Sequence, residues 1–169
     1  MARNTRSKPH VSLLDVKGNV MVTTVGTESS IQGLVQNLLL LEHDAIAAYD
    51  STIERLENPS YKQQIAAFRE DHLRHVAELK KMTSMLDVDA PTTGDAKQLL
   101  TTGKIALASI MGDSAILKAM RTNEEDTVTA YERASIHPDA VPESRKYFEI
   151  FAADERRHRE WMERTSATG

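Results

Sequence analysis

The sequence has no cysteine, which excludes disulfides, zinc–cysteine sites, iron–sulfur clusters and thiol catalysis. Glycine and proline are scarce, at 7 and 5 in 169 residues, and aromatic residues make up only 5%. A chain this poor in turn-formers, and rich in Ala, Leu, Glu, Lys and Arg, has the composition of a helical protein. Apolar runs such as Leu38 to Leu41 are far short of a spanning helix, so no membrane segment is expected. No long basic block accompanies the formal net charge of −4, so no nucleic-acid partner is expected either. The length suits one domain able to bury a sizeable core without staples.

Residues 1–28 differ from the rest. Arg3, Arg6 and Lys8 open the chain, but no apolar run of signal-peptide length follows, which predicts a cytoplasmic protein. Val11 to Val25 carries β-branched residues around Lys17-Gly18-Asn19 and reads as a hairpin, an extended arm or a disordered segment.

From residue 29 to 167 the chain reads as helices, and the fold class is all-α. Ser29 with Gln32 forms a capping-box pattern that opens helix 1, which should run to Glu57 and stop at Asn58-Pro59. Ser60 with Gln63 repeats the signal for helix 2, which should run to Leu86, ahead of the turn cluster Asp87 to Gly94. Helix 3 should run from Asp113 to Ile136 and helix 4 from Pro142 to Arg164. The connection between helices 2 and 3 is long and contains a predicted short helix from Asp95 to Met111. It can cross the length of the bundle and leave helices 2 and 3 parallel. The architecture expected is a four-helix bundle of two helical hairpins joined by one long crossover, the connectivity of ferritin-like folds.

The two halves resemble each other. Asp154-Glu155-Arg156-Arg157-His158 is a near copy of Asp71-His72-Leu73-Arg74-His75, 83 positions earlier, and Phe151 answers Phe68. Upstream, Glu124 and Tyr131 answer Glu42 and Tyr49, each pair seven apart. Residues three and four apart share a helix face, so the apolar stripes can be followed directly. They read Val35, Leu38, Glu42, Ala45, Tyr49 on helix 1 and Phe68, His72, His75, Leu79 on helix 2. Helix 3 gives Leu117, Met120, Glu124, Thr127, Tyr131, and helix 4 gives Phe148, Phe151, Glu155, His158, Met162. Each stripe points one or two ionisable groups into the core. Taken singly, each has an ordinary account as a satisfied core histidine or a buried ion-pair partner. Six together, as two copies of one pattern, point to metal, because a buried unpaired carboxylate costs several kcal/mol. The candidate ligands are Glu42, His72, His75, Glu124, Glu155 and His158.

This constellation resembles the ferritin-like superfamily, especially the rubrerythrin and bacterioferritin branch of di-iron carboxylate proteins, over about Ser29 to Arg164. The resemblance implies that Glu42 and His75 hold one metal and Glu124 and His158 the other, with Glu155 bridging. It implies that Asp71 and Asp154 orient the histidines. The expected cofactor is iron, as two ions or one, with manganese and zinc left open. The chain departs from the pattern at His72, where the family has a bridging Glu, and at Thr127, where rubrerythrins place a further Glu. The rubredoxin-like module is absent because it requires cysteine. His72 leaves three arrangements open: a two-metal site with one carboxylate bridge, a one-metal site, or an oxygen ligand from Asp71.

Tyr49 and Tyr131 are expected to bond the ligand carboxylates, pass electrons or simply pack. Trp161 reads as a redox relay or a core aromatic, and His10 and His43 as solvated. Arg74 and Arg157 should pair with acids on adjacent helices. Two functions follow. The first is oxygen, peroxide or ferroxidase chemistry at a non-haem iron site, with an external electron donor if redox-active. The second is a non-catalytic, stress-associated bundle with a degenerate or single-metal site. Either is expected as a homo-oligomer, a dimer or larger.

Overall fold

The computed structural model describes residues 23–93 and 110–168. Among them are four helices: α1 (Ile31–Arg55), α2 (Pro59–Met85), α3 (Asp113–Ser135) and α4 (Pro142–Thr168). The predicted short helix in the crossover, and most of the N-terminal arm with His10 and the Lys17-Gly18-Asn19 turn, lie outside the described residues.

The helix starts differ slightly from those expected. Ser30, not Ser29, caps α1, its side chain accepting from the Gly33 backbone N–H at 3.2 Å. Asn58, expected to help end helix 1, instead caps α2 by accepting from the N–H groups of Ser60 and Tyr61, with Pro59 in the first turn. Proline suits that position because its missing N–H would have no intrahelical partner there. Glu57 and Asn58 also donate their backbone N–H groups to the Asp113 carboxylate, which pins the α1–α2 turn to the start of α3. At its far end α4 continues to Thr168, beyond the predicted Arg164.

Cross-helix contacts fix the directions. Asp50 meets Arg69 while Glu42 meets His75, so α1 and α2 are antiparallel. Tyr49 meets Glu124 while Tyr131 meets Glu42, so α1 and α3 are also antiparallel. Helices α2 and α3 therefore run the same way. At 27 residues α2 is about 40 Å long, using a rise of about 1.5 Å per residue. Thus the fold is two helical hairpins, α1–α2 and α3–α4, joined by one long crossover.

Two apolar clusters fill the two ends. One is built from Leu34, Leu38, Leu39, Leu79, Ala134 and Phe148 with their neighbours, the other from Leu56, Ile65, Phe68, Leu117, Met120 and Met162. The ionisable residues of the four stripes occupy the layer between them.

Residues 23–30, the described part of the N-terminal segment, lie on the end of α3. Thr23 donates its N–H to Asp126 and receives Arg133 on its carbonyl, while His137 bonds the Glu28 carbonyl at 3.0 Å. Gly26 is required here: its φ is +97°, and a Cβ would come within 2.5 Å of Arg133 Cβ.

Candidate metal centre

Helix periodicity places Glu42 on α1, His72 and His75 on α2, Glu124 on α3, and Glu155 and His158 on α4 in one layer. All six are fully or almost fully buried. They form two overlapping groups, Glu42/His72/His75/Glu155 and His72/Glu124/Glu155/His158, each with its donor atoms within 4.8 Å of one another. Metal–ligand bonds of about 2 Å place the donors of one ion at most about 4 Å apart, so each group is close to that size. His72 and Glu155 belong to both.

The first group is the tighter. His72 Nδ1 lies 2.8 Å from Glu42 Oε2, and His75 Nδ1 lies 3.1 Å from Glu42 Oε1 and 3.3 Å from Glu155 Oε1. In the second, His158 Nδ1 is 3.5 Å from Glu124 Oε2 and 3.6 Å from Glu155 Oε2. Three buried atoms of these six residues make no hydrogen bond: His72 Nε2, Glu124 Oε2 and Glu155 Oε1. Leaving such an atom unsatisfied costs about 1–3 kcal/mol, more where it is charged. A cation would engage these lone pairs. Three imidazoles with three carboxylates also form a donor set suited to first-row divalent metals. The residues therefore fit a metal.

Tyrosine, aspartate and phenylalanine supports reach across from the other half. Tyr49 on α1 donates to Glu124 on α3 at 2.8 Å, while Tyr131 on α3 donates to Glu42 on α1. Asp71 on α2 meets His158 Nε2 on α4 at 2.8 Å, while Asp154 on α4 meets His75 Nε2 on α2 at 3.2 Å. Phe68 stacks on His158 and Phe151 on His75, with ring centroids 4.2 and 4.0 Å apart. Asp71 and Asp154 thus touch the imidazole nitrogens that face away from the cluster, leaving each Nδ1 turned toward the carboxylates.

The charges compensate one another without metal. Burial opposes the imidazolium form, yet the surrounding carboxylates raise His72 and push His75 up to about 12 and His158 to about 11. Burial likewise works against the Glu42 and Glu155 charges, but the histidines hold both below the ordinary carboxylate value. Glu124 is pushed up to about 7 by burial and by the Glu155 charge. Burial and the adjacent carboxylates drive Tyr49 and Tyr131 well above the usual phenol value, so both remain hydrogen-bond donors at neutral pH.

Residues 30–136 match a family described only as a domain of unknown function, DUF2383. The chain belongs to the DUF2383 family. No curated protein and no solved structure matches it. The DUF2383 match covers α1, α2 and α3, with Glu42, His72, His75 and Glu124, and ends before Glu155 and His158.

Several expectations about this DUF2383 chain change. His43 is not solvated: it is buried, with Nε2 3.2 Å from the Pro91 carbonyl, under the segment that follows α2. Arg157 does pair across helices, at 2.5 Å from Asp71 Oδ2, and also meets Asp154 on its own helix. Arg74, by contrast, pairs with Asp71 on its own helix. Asp71 supplies no oxygen to either group, because its carboxylate is engaged by His158, Arg74 and Arg157. Sequence reasoning treated Thr127 only as a missing Glu. Its hydroxyl lies 3.1 Å from Glu155 Oε2 and 3.0 Å from the Glu124 carbonyl, positioning the shared carboxylate. Its place on the stripe three residues after Glu124 was the available signal. Trp161 packs edge-on against Phe68 and Tyr61 at the margin of the apolar cluster that contains Leu56 and Met162.

Proposed function

We propose that the protein is a ferritin-like metal protein whose interhairpin centre binds iron, as two ions or one, and supports ferroxidase or related oxygen and peroxide chemistry. The observation that carries the reading is the pair of overlapping buried donor groups with three unsatisfied polar atoms. Glu42 and His75 would hold one ion and Glu124 and His158 the other, with the Glu155 carboxylate shared. His72, with one free imidazole lone pair, would serve only one of the two. Bound iron would supply one-electron exchange with oxygen or peroxide, and an external donor would be needed for repeated turnover.

The chain's own residues do the rest. Tyr49 and Tyr131 keep one oxygen of Glu124 and of Glu42 hydrogen-bonded, leaving the second oxygen of each to the centre. Asp71 and Asp154 hold His158 and His75 by their far nitrogens, and this fixes ring orientation. Phe68 and Phe151 close the imidazole faces and keep bulk water out.

One observation favours a second reading, a non-catalytic bundle with a degenerate or single-metal site. His72 Nδ1 pairs directly with Glu42, and the three imidazoles and three carboxylates balance much of one another's charge without a cation. His72→Glu separates the two. Metal-free protein is titrated anaerobically with Fe(II), then mixed with aerated buffer, and the Fe(III) absorbance is followed by stopped flow. Under the first reading wild type binds iron and oxidises it faster than buffer. Under the second, wild type matches buffer and His72→Glu gains both stoichiometry and rate. No iron bound and no oxidation by either protein would eliminate the iron reading.

A further inference from the structure

The two donor groups differ in what they leave unpaired. In the first, Glu42 has both oxygens engaged, Oε1 by Tyr131 and by His75 Nδ1 at 3.1 Å, and Oε2 by His72 Nδ1 at 2.8 Å. In the second, Glu124 accepts from Tyr49 at Oε1, but its Oε2 is buried without a partner, 3.5 Å from His158 Nδ1. His72 stands between the groups. Its Nδ1 is engaged by Glu42, and its Nε2 is another buried atom without a partner. The His72 ring packs against Tyr49 with centroids 4.7 Å apart, and the Tyr49 hydroxyl lies 2.8 Å from Glu124 Oε1 and 3.4 Å from His158 Nδ1. With Nδ1 engaged on the first side, the nitrogen that His72 has left for the second group is Nε2.

An imidazole that donates Nδ1–H to a carboxylate offers its lone pair at Nε2, and a carboxylate behind a ligating histidine fixes both its tautomer and its orientation. We propose that the first divalent cation to enter the centre is held by His72 Nε2, Glu124, Glu155 and His158 Nδ1, and that Glu42 is not its ligand but the positioning residue that holds His72. This rests on the metal-binding reading above. Two nitrogens and two carboxylates make a complete four-coordinate set for a first-row cation such as Zn(II) or Co(II). The other side then keeps three protein ligands, Glu42, His75 and Glu155. There His75 must also give up its Nδ1 bond to Glu42 before it can serve, so that side fills second and more weakly. His72 stands where the other half has Glu155, and it turns two sites of similar make-up into a strong one and a weak one.

The test uses full-length, metal-free protein with Zn(II) and Co(II) alone as probes. Proton–nitrogen correlation spectra of the histidine rings report which nitrogen carries a proton and which a metal. At one equivalent of Zn(II), wild type should be metallated at His72 Nε2 and His158 Nδ1, with His72 Nδ1 still protonated and His75 carrying no metal. Co(II) titration should be biphasic, and its first phase should give the intense visible bands of a four-coordinate ion. The same titration is run on His75→Gln and His158→Gln, which remove one side chain from equivalent places 83 positions apart. His158→Gln should weaken the first ion by more than about 100-fold and His75→Gln by less than about tenfold, which separates losing a ligand from losing a neighbour of one. Metallation of His75 by the first equivalent, metallation of His72 at Nδ1, or one binding phase for two equal ions would overturn the assignment and leave the metal centre standing. Equal losses in the two variants would do the same. The wild-type spectra decide the matter even if a variant does not fold. If wild type takes up neither Zn(II) nor Co(II), the metal reading fails first and the assignment falls with it.

Discussion

Glu155 is the residue on which the centre depends most, and Glu155→Gln removes its charge while keeping its shape. Its oxygens lie 3.3 Å from His75 Nδ1, 3.6 Å from His72 Nδ1 and 3.6 Å from His158 Nδ1, so it is the counter-charge common to all three imidazoles. Within 4 Å, Glu42 meets His72 and His75, and Glu124 meets His158 alone. Breaking a buried ion pair by neutralising one partner costs about 3–5 kcal/mol. For a chain of this size about 1 kcal/mol moves the melting temperature by 2–4 °C, so the metal-free variant should melt about 10 °C below wild type. A metal present at about 100 times its dissociation constant should stabilise wild type by about 2.7 kcal/mol. Glu155→Gln should lose most of that gain, because an amide oxygen is a poor replacement for the carboxylate shared by both groups. The assay is calorimetric or circular-dichroism melting with and without Zn(II) or Fe(II), with the exposed Glu149→Gln as control. A metal-free variant melting with wild type would refute the counter-charge argument, and an undiminished metal-induced shift would remove Glu155 from the ligand set.

Two pH predictions follow from the charges. His75 and His158 are raised from 6.5 to about 12 and about 11, so their contribution is complete below pH 6.5 and is lost as pH climbs toward those values. Glu42 and Glu155 are lowered, and Asp71 falls from 3.8 to about 2 because hydrogen bonds from His158 and Arg74 outweigh its burial, so their contribution is lost as pH falls. Metal-free stability should therefore peak between about pH 5 and 6.5, and the metal-induced rise in melting temperature should be larger at pH 8 than at pH 6, since binding displaces imidazole protons. Metal-free stability that still rises from pH 6.5 to 9 would contradict this. Asp44 is different: burial pushes it from 3.8 up to about 7, and its Oδ1 has no partner, so stability is lost as pH rises between those values. Discounted for partial exposure, Asp44→Asn should stabilise by about 1 kcal/mol at pH 8 and by nothing at pH 4 in guanidinium unfolding; equal effects at both would refute the argument.

The four helices, their order and the layer of ligands were legible because period and spacing are properties of one helix at a time. Glu42, His72, His75, Glu124, Glu155 and His158 fall on their stripes by steps of three and four, and burial of those stripes brings them together. What lies across a seam is not a property of one helix. Spacing put Tyr49 on the Glu42 face, yet its hydroxyl goes to Glu124. Asp71 precedes His72 in the chain, yet it holds His158. His43 was misjudged for the same reason, since its cover comes from residues after α2 whose path no local pattern encodes. Asn58-Pro59 was misread in part because one dipeptide ends a helix and starts the next, and only the side-chain bonds of Asn58 show which role it fills.

The crossed pairing has a consequence for how the centre forms. Each hairpin carries a carboxylate and at least one histidine, but the tyrosine and aspartate that orient them come from the other hairpin. Contacts within a hairpin, His72 and His75 to Glu42 and Thr127 to Glu155, order part of each ligand set, and the rest is ordered only when the two hairpins dock. The pseudo-twofold relation breaks at a single ligand pair, His72 against Glu155, and this pair belongs to both donor groups. Three ligand carboxylates offset two divalent cations to within one unit of charge, whereas two trivalent cations would leave three positive charges in a buried layer. A fourth carboxylate at position 72 would reduce both residues by one, and the reduction matters more for the trivalent pair, where repulsion between the cations is larger. His72 would therefore bias a bound metal toward its divalent state. Under the proposed iron reading, oxidation or mere retention of the metal turns on that one imidazole.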